Sequence, residues 1–237
     1  MKRLSILITM LILTVAFLLF AQDAAETGEQ TTQNQEQGGE GGNNFVTEAI
    51  TNYLIDDFEF ANTWQASIPS DYGVVSIIRR EGGPADVVAE GAENNKYILG
   101  AKVEYFRTGN PWFSVTPPRP IKIPGYTKEL SVWVAGRNHN NRMSFYIYDV
   151  NGKPQAVGNE ALNFMGWKNI TVQVPSKVRQ EEFRGQVEQG ISFMGIHVKV
   201  DPRDSYGKYY IYFDQLVAKT DMYLETYKEE DDPLDTW

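Results

Sequence analysis

The chain has 237 residues, with 22 Lys plus Arg against 31 Asp plus Glu, two histidines and no cysteine. That length suits one domain with tails, and the formal charge of −9 disfavours a nucleic-acid backbone or an anionic membrane surface as partner. Disulfides, thiol catalysis and cysteine zinc sites are excluded, two histidines leave little for a histidine metal or catalytic site, and an aromatic content of 13% favours strands.

The predicted elements begin with a targeting segment. Met1, Lys2 and Arg3 precede an apolar run over residues 4–20, and the small Ala21 follows. This is the pattern of a secretory signal peptide over residues 1–21, and its removal takes the net charge from −9 to −11 by deleting Lys2 and Arg3. Residues 22–44 are Gln-, Glu-, Gly- and Asn-rich without a large apolar side chain. They read as a flexible polar leader, because nothing there offsets the entropy of ordering.

Order is expected from Phe45 onward, with residues 45–54 either a short helix or the approach to a strand. Strand signals then follow one another. Residues 74–79 are β-branched. Leu130, Val132 and Val134 alternate. MSFYIYDV over residues 143–150 runs into the turn pair Asn151-Gly152. In KNITVQV, Ile170, Val172 and Val174 share one face, and Pro175 ends the run. Ile196, Val198 and Val200 alternate with His197 and Lys199, and YYIYFDQLV over residues 209–217 is the last long strand. Period-2 alternation with one polar face is what a sheet packed on one side needs. Helical spacing is scarce, the best stretch being residues 176–187 with Val178, Phe183 and Val187. The fold class is therefore all-β, a β-sandwich over residues 45–221. Residues 222–237 form an acidic tail carrying Glu225, Glu229, Glu230, Asp231, Asp232 and Asp235 against Lys228.

Three local patterns matter together: Leu54-Ile55-Asp56-Asp57-Phe58-Glu59, the block from Leu130 to Lys153 with Gly166-Trp167-Lys168-Asn169-Ile170-Thr171-Val172 beyond it, and Tyr210-Ile211-Tyr212-Phe213-Asp214-Gln215-Leu216. In this order they resemble jelly-roll modules of the carbohydrate-binding or galactose-binding-like kind, in which the first and last strands run side by side. With the signal peptide and polar leader, the chain more specifically resembles the outer-layer (sheath) protein of spirochaete periplasmic flagellar filaments, the FlaA family. The resemblance covers residues 53–221 and implies a non-catalytic structural subunit. Such a subunit lies in the periplasm, has core flagellin-like subunits and other sheath proteins as partners, and helps set filament shape, stiffness and motility. It implies no nucleic acid, no membrane once the signal is removed, and no catalytic residues. The alternative is an exported carbohydrate-binding module of jelly-roll type. A jelly-roll glycan hydrolase would need two acids flanking a cleft, which the sequence does not pair.

Candidate sites follow from these readings. Jelly-roll modules often hold calcium near the paired terminal strands, and calcium takes several hard oxygens, so Asp57, Glu59 and Asp214 are candidate ligands of a structural ion. If the strand continues through them, Asp57 and Glu59 point the same way. No other cofactor is expected. Trp112, Trp133, His139 and Arg142 are candidate contacts for a partner or a glycan: the tryptophans as interface anchors or sugar platforms, and His139 and Arg142 as part of the polar loop Arg137-Asn138-His139-Asn140-Asn141-Arg142. His197 reads as a surface residue. There is no Gly-x-Ser-x-Gly elbow, no His-Glu-x-x-His and no phosphate loop in the sequence.

Overall fold

The computed structural model describes residues 50–89, 95–181 and 189–222. The signal peptide (1–21), the leader (22–44) and the acidic tail beyond Met222 lie outside the described residues, as do Phe183 and Val187.

Among the described residues, twelve strands make two antiparallel sheets. Sheet A contains β1 (Ile50–Asp56), β3 (Gly73–Glu81), β4 (Tyr97–Tyr105), β7 (Tyr126–Arg137), β10 (Met165–Gln173) and β12 (Gly207–Asp221). Its order is β10-β7-β12-β4-β3, with β1 paired to β12. Sheet B contains β2 (Gln65–Ser67), β5 (Trp112–Thr116), β6 (Ile121–Lys122), β8 (Arg142–Tyr148), β9 (Pro154–Ala161) and β11 (Ser192–Lys199). Its order is β2-β5-β11-β8-β9, with β6 beside the start of β11. Among the described residues a short α-helix, α1 (Ala85–Ala89), sits between β3 and β4, and a single 3-10 turn (Ala61–Thr63) precedes β2. The chain crosses repeatedly between the sheets, giving the β-sandwich expected from the alternation, of the jelly-roll-like kind that the resemblance implies.

Alternation is also what builds the core. Leu99, Ala101 and Val103 of β4, Leu130, Val132 and Val134 of β7, and Ile211 and Phe213 of β12 point inward from sheet A. Phe113 and Val115, Met143, Phe145 and Ile147, and Phe193, Ile196 and Val198 meet them from sheet B. Interdigitated side chains from two inner faces are the usual core of a sandwich.

β12 holds sheet A together. Its first half pairs with β4 from Gly207↔Tyr105 to Phe213↔Leu99, and its second half pairs with β1 from Asp56↔Leu216 to Ile50↔Asp221. Along the other side lies β7. The first and last strands are thus neighbours, and the LIDDFE and FDQL segments meet. Both are irregular there: β1 bulges between Leu54 and Asp56, β12 bulges between Asp214 and Val217, and Gln215 takes φ +47°.

Two open readings are decided. Residues 50–56 are strand, the second of the two alternatives for this stretch. The stretch with the best helical spacing, 176–187, is not helical across its described part, residues 176–181. There Val178 is buried in the core, and the Gln180 side chain both accepts from Thr127 N–H and donates to Thr127 C=O, each at 2.8 Å. Gln180 acts as a backbone substitute in a buried loop, so the apolar spacing there reports loop packing and not a helix face.

Candidate functional site: a carboxylate corner and two sheet faces

The carboxylates flagged in the sequence gather where β1 ends. Asp56 accepts Phe58 N–H at 2.6 Å and the Trp64 indole N–H at 3.1 Å, and Asp57 accepts Glu59 N–H at 3.0 Å. These two successive side-chain-to-backbone turns let Phe58 adopt φ +60° and drive its ring into the core, 5.0 Å from Trp64. The strand stops at Asp56, so Asp57 and Glu59 are turn residues and do not share a strand face. Burial raises the Asp56 pKa, against the bonds from Phe58 and Trp64.

Glu59 is committed to the start of β4. One oxygen accepts the backbone N–H groups of Lys96 and Tyr97, and the other lies 3.9 Å from the Arg79 guanidinium, which itself stacks 3.3 Å over the Tyr97 ring.

Asp214 is different. It is 0% exposed; one oxygen accepts Gln215 N–H at 2.9 Å, and the other has no hydrogen-bond partner. Both amide atoms of neighbouring Asn95 are likewise buried outside regular hydrogen-bond geometry, with the amide close enough to Asp214 to favour its charged form. Burial pushes the Asp214 pKa up to about 7; the Gln215 N–H and the Asn95 amide pull it down, and the charges of Glu59 and Asp57 add to the rise. The three candidate ligands are therefore in electrostatic reach of one another. All three already accept backbone N–H groups, and among the described residues no three acidic or histidine side chains form a ready-made ion cage.

The outer face of sheet B carries an aromatic and basic cluster. Trp112 of β5, Lys199 of β11 and Arg142 of β8 stand in register across three strands. In the next row His197 lies between Ser114 and Ser144. Its ring is nearly parallel to Tyr146 at 4.8 Å and tilted against Trp112 at 5.2 Å, with Ser114 Oγ 3.2 Å from its Nδ1. Burial lowers the His197 pKa, which keeps the ring neutral at neutral pH. Trp112 remains 40% exposed. Arg142 donates to the carbonyl of Asn159 at 3.1 Å, and with Lys199 and Asp201 it lines a shallow hollow of about 220 Å³. The sequence placed His197 on the outer side of a strand but held no sign of its cross-strand neighbours; register alone makes this ring ladder.

The remaining contact candidates lie elsewhere. Trp133 is on the outer face of sheet A, opposite Asn169 and Asp214. His139 sits in the β7–β8 loop, where Asn138 has φ +58°. Its Nδ1 is 3.6 Å from Asp204 Oδ2, which accepts Asn140 N–H at 2.7 Å, and its ring meets Tyr209 edge-on at 4.9 Å. The loop is tied down onto the β11–β12 connection. Trp64 is core. The structure thus brings Trp112 and Arg142 together and leaves Trp133 and His139 apart from them.

The chain belongs to the FlaA family, flagellar filament outer layer proteins, whose model matches residues 26–228. It is 92% identical over 219 residues to a flagellar filament outer layer-like protein of Brachyspira hyodysenteriae, covering 92% of this chain and all of that protein. Among solved structures it is similar to a carbohydrate-binding module of the β-sandwich superfamily, with a TM-score of 0.48 and 13% identity over 71% of this chain and 62% of that one, under two thirds of its length. It is also similar to the family 11 carbohydrate-binding module of Clostridium thermocellum, with a TM-score of 0.43 and 14% identity over 73% of this chain and 97% of that one. Likeness at that level says nothing about a ligand.

Proposed function

We propose that this chain is a non-catalytic structural subunit of the sheath of the periplasmic flagellar filament, coating the flagellin core and contributing to filament shape, stiffness and motility. The family match along 26–228 carries the reading. Its companion proposals are export by a signal peptide over residues 1–21 and residence in the periplasm. The engagement of Asp57 and Glu59 in backbone bonding suits a structural role for these acids. The row Trp112–Lys199–Arg142 is the proposed contact face, since exposed Trp and Arg are the residue types that anchor interfaces. Mass spectrometry of isolated filaments should find the protein, and its absence there ends the reading. W112A/R142A should sediment with filaments at least ten-fold less than the parent while keeping its melting temperature; equal retention removes this face from the contact.

The ring ladder of Trp112, His197 and Tyr146 favours a second reading, in which this face stacks on a glycan. A glycan array showing no binding at millimolar ligand sinks it. For the carboxylate corner, the proposal is a structural calcium ion held through Asp214 Oδ2 and the Asn95 amide oxygen, both buried without a hydrogen-bond partner, with Asp57 and Glu59 supplying charge. Calcium should then raise the melting temperature at pH 7.5, and identical melting in calcium and in EDTA removes the ion.

A further inference from the structure

On the outer face of sheet A, two guanidinium groups converge on one tyrosine. Trp167, Ala135, Tyr212, Gly100 and Ile78 form one row across its five strands. The small Ala135 between two aromatic residues leaves an open groove of about 460 Å³, lined also by Arg80, Glu81 and Arg137. Arg80 donates to the Tyr212 hydroxyl at 3.4 Å, and the Arg137 guanidinium stands 5.6 Å from the centre of the Tyr212 ring. Both arginines are exposed, and neither forms an ion pair among the described residues.

Each group around the groove restricts what can enter it. Like charges directed at one side chain repel, so an anion beside them is favoured, and a guanidinium pairs best with a planar oxyanion through two N–H groups. The net charge of −9 repels anions at long range, which confines the attraction to the groove itself. Glu81, when ionised, can only accept hydrogen bonds. A bare anion would face its charge, whereas a ligand with hydroxyls beside its anionic group can donate to it. Trp167 is half-buried against Ile98, Ala135 and Tyr212, and the rest of its indole is free for an apolar ring face. On the lining, Gly82 and Gly166 take φ +126° and +86°, and a Cβ at either would meet nothing within 4 Å, so the rim leaves room for a ring. The volume is that of a small-molecule cleft; a protein partner would instead need about 800 Å² of contact on each side. Carboxylate, hydroxyls and a ring with a weakly apolar face are together the chemistry of an acidic sugar.

We propose that this groove binds a carboxylated saccharide, a short run of uronate units. Its carboxylates sit at Arg80 and Arg137, its hydroxyls donate to Glu81, and a sugar ring lies against Trp167. The site is on the sheet opposite the ladder of Trp112, His197 and Tyr146, and it selects by charge. Residence in a filament neither requires nor forbids it.

Indole N–H signals report where a ligand binds, because Trp167 lines the groove and Trp112 lies on the opposite sheet. Digalacturonate titrated into the chain should shift the Trp167 signal saturably at millimolar concentration and leave Trp112 in place. The neutral digalactose should bind at least about ten-fold more weakly, since hydrogen bonds to a charged group are worth that factor or more. Added salt should weaken the acidic sugar and not the neutral one. The double variant R80Q/R137Q, altered at two exposed positions, should keep its melting temperature and lose at least the same factor for digalacturonate. Five results each overturn the proposal: no Trp167 shift at millimolar digalacturonate, an equal shift at Trp112, equal affinity for the neutral disaccharide, parental affinity in the double variant, or equal affinity for triglutamate or inorganic sulfate. The last of these would assign the groove to an acidic peptide or to any small anion.

Discussion

Asp214 ties local geometry to a measurable pH response. Its pKa near 7 in the fold stands above the ordinary carboxylate value near 4 in the unfolded chain. The unfolded chain therefore releases this proton first, and each rise in pH between about 4 and 7 lowers stability, by up to ~1.4 kcal/mol per unit. Above about 7 the effect is constant. Asp214→Asn should raise the melting temperature at pH 7.5 by several degrees and flatten the decline between pH 5 and 7; a slope equal to the parent's would place its origin in another group. Gly100 shows a different constraint. A Cβ there would stand 2.6 Å from Ile78 Cγ1 and 2.9 Å from the Tyr212 ring, so Gly100→Ala should cost about 1–3 kcal/mol in a urea titration and displace the Tyr212 ring.

At the scale of elements, the segment between β1 and β2 closes one end of the core. Phe58 is fully buried and reaches that position through two aspartate turns. Phe58→Ala should therefore cost about 3–5 kcal/mol, read from the shift of the denaturation midpoint at unchanged slope; a loss below 1 kcal/mol would mean the ring is not part of the cooperative core. Strands with clean alternation were legible from sequence, as in β7, β10 and β11, and the aromatic and β-branched runs of β8 and β12 were legible as strands without it. β4 was not, because Gly100 and Ala101 sit at its centre and small residues carry no strand signal, although Ala101 is fully buried. β9 begins with Pro154 and contains Gly158 at φ +77°, so it reads as loop and forms only at a sheet edge. The candidate sites divide in the same way. The carboxylate corner was expected only because the resemblance to jelly rolls sets the first strand beside the last; the aspartate turns that end β1 were not foreseen. The stack of Trp112, His197 and Tyr146 joins residues from three strands, and no single segment contains it.

At the scale of the whole molecule, β12 is the centre of sheet A and the last strand in the chain. A chain ending before Gly207 loses the pairings of β1, β4 and β7 together. Such a truncation should lack the near-ultraviolet circular dichroism of the intact protein and should not unfold cooperatively; a native-like spectrum would show that sheet B and the remaining strands stand alone. Pairing residue 50 with residue 221 also makes the fold strongly non-local, which places refolding in the millisecond-to-second range. Synthesis meets the same ordering. While residues 207–221 are still inside the ribosome, the strands already made have no central partner, and translation at about 5–20 residues per second leaves them waiting for many seconds. The nascent chain is thus kept open until β12 emerges, and its apolar strand faces stay exposed to those of other chains over that interval.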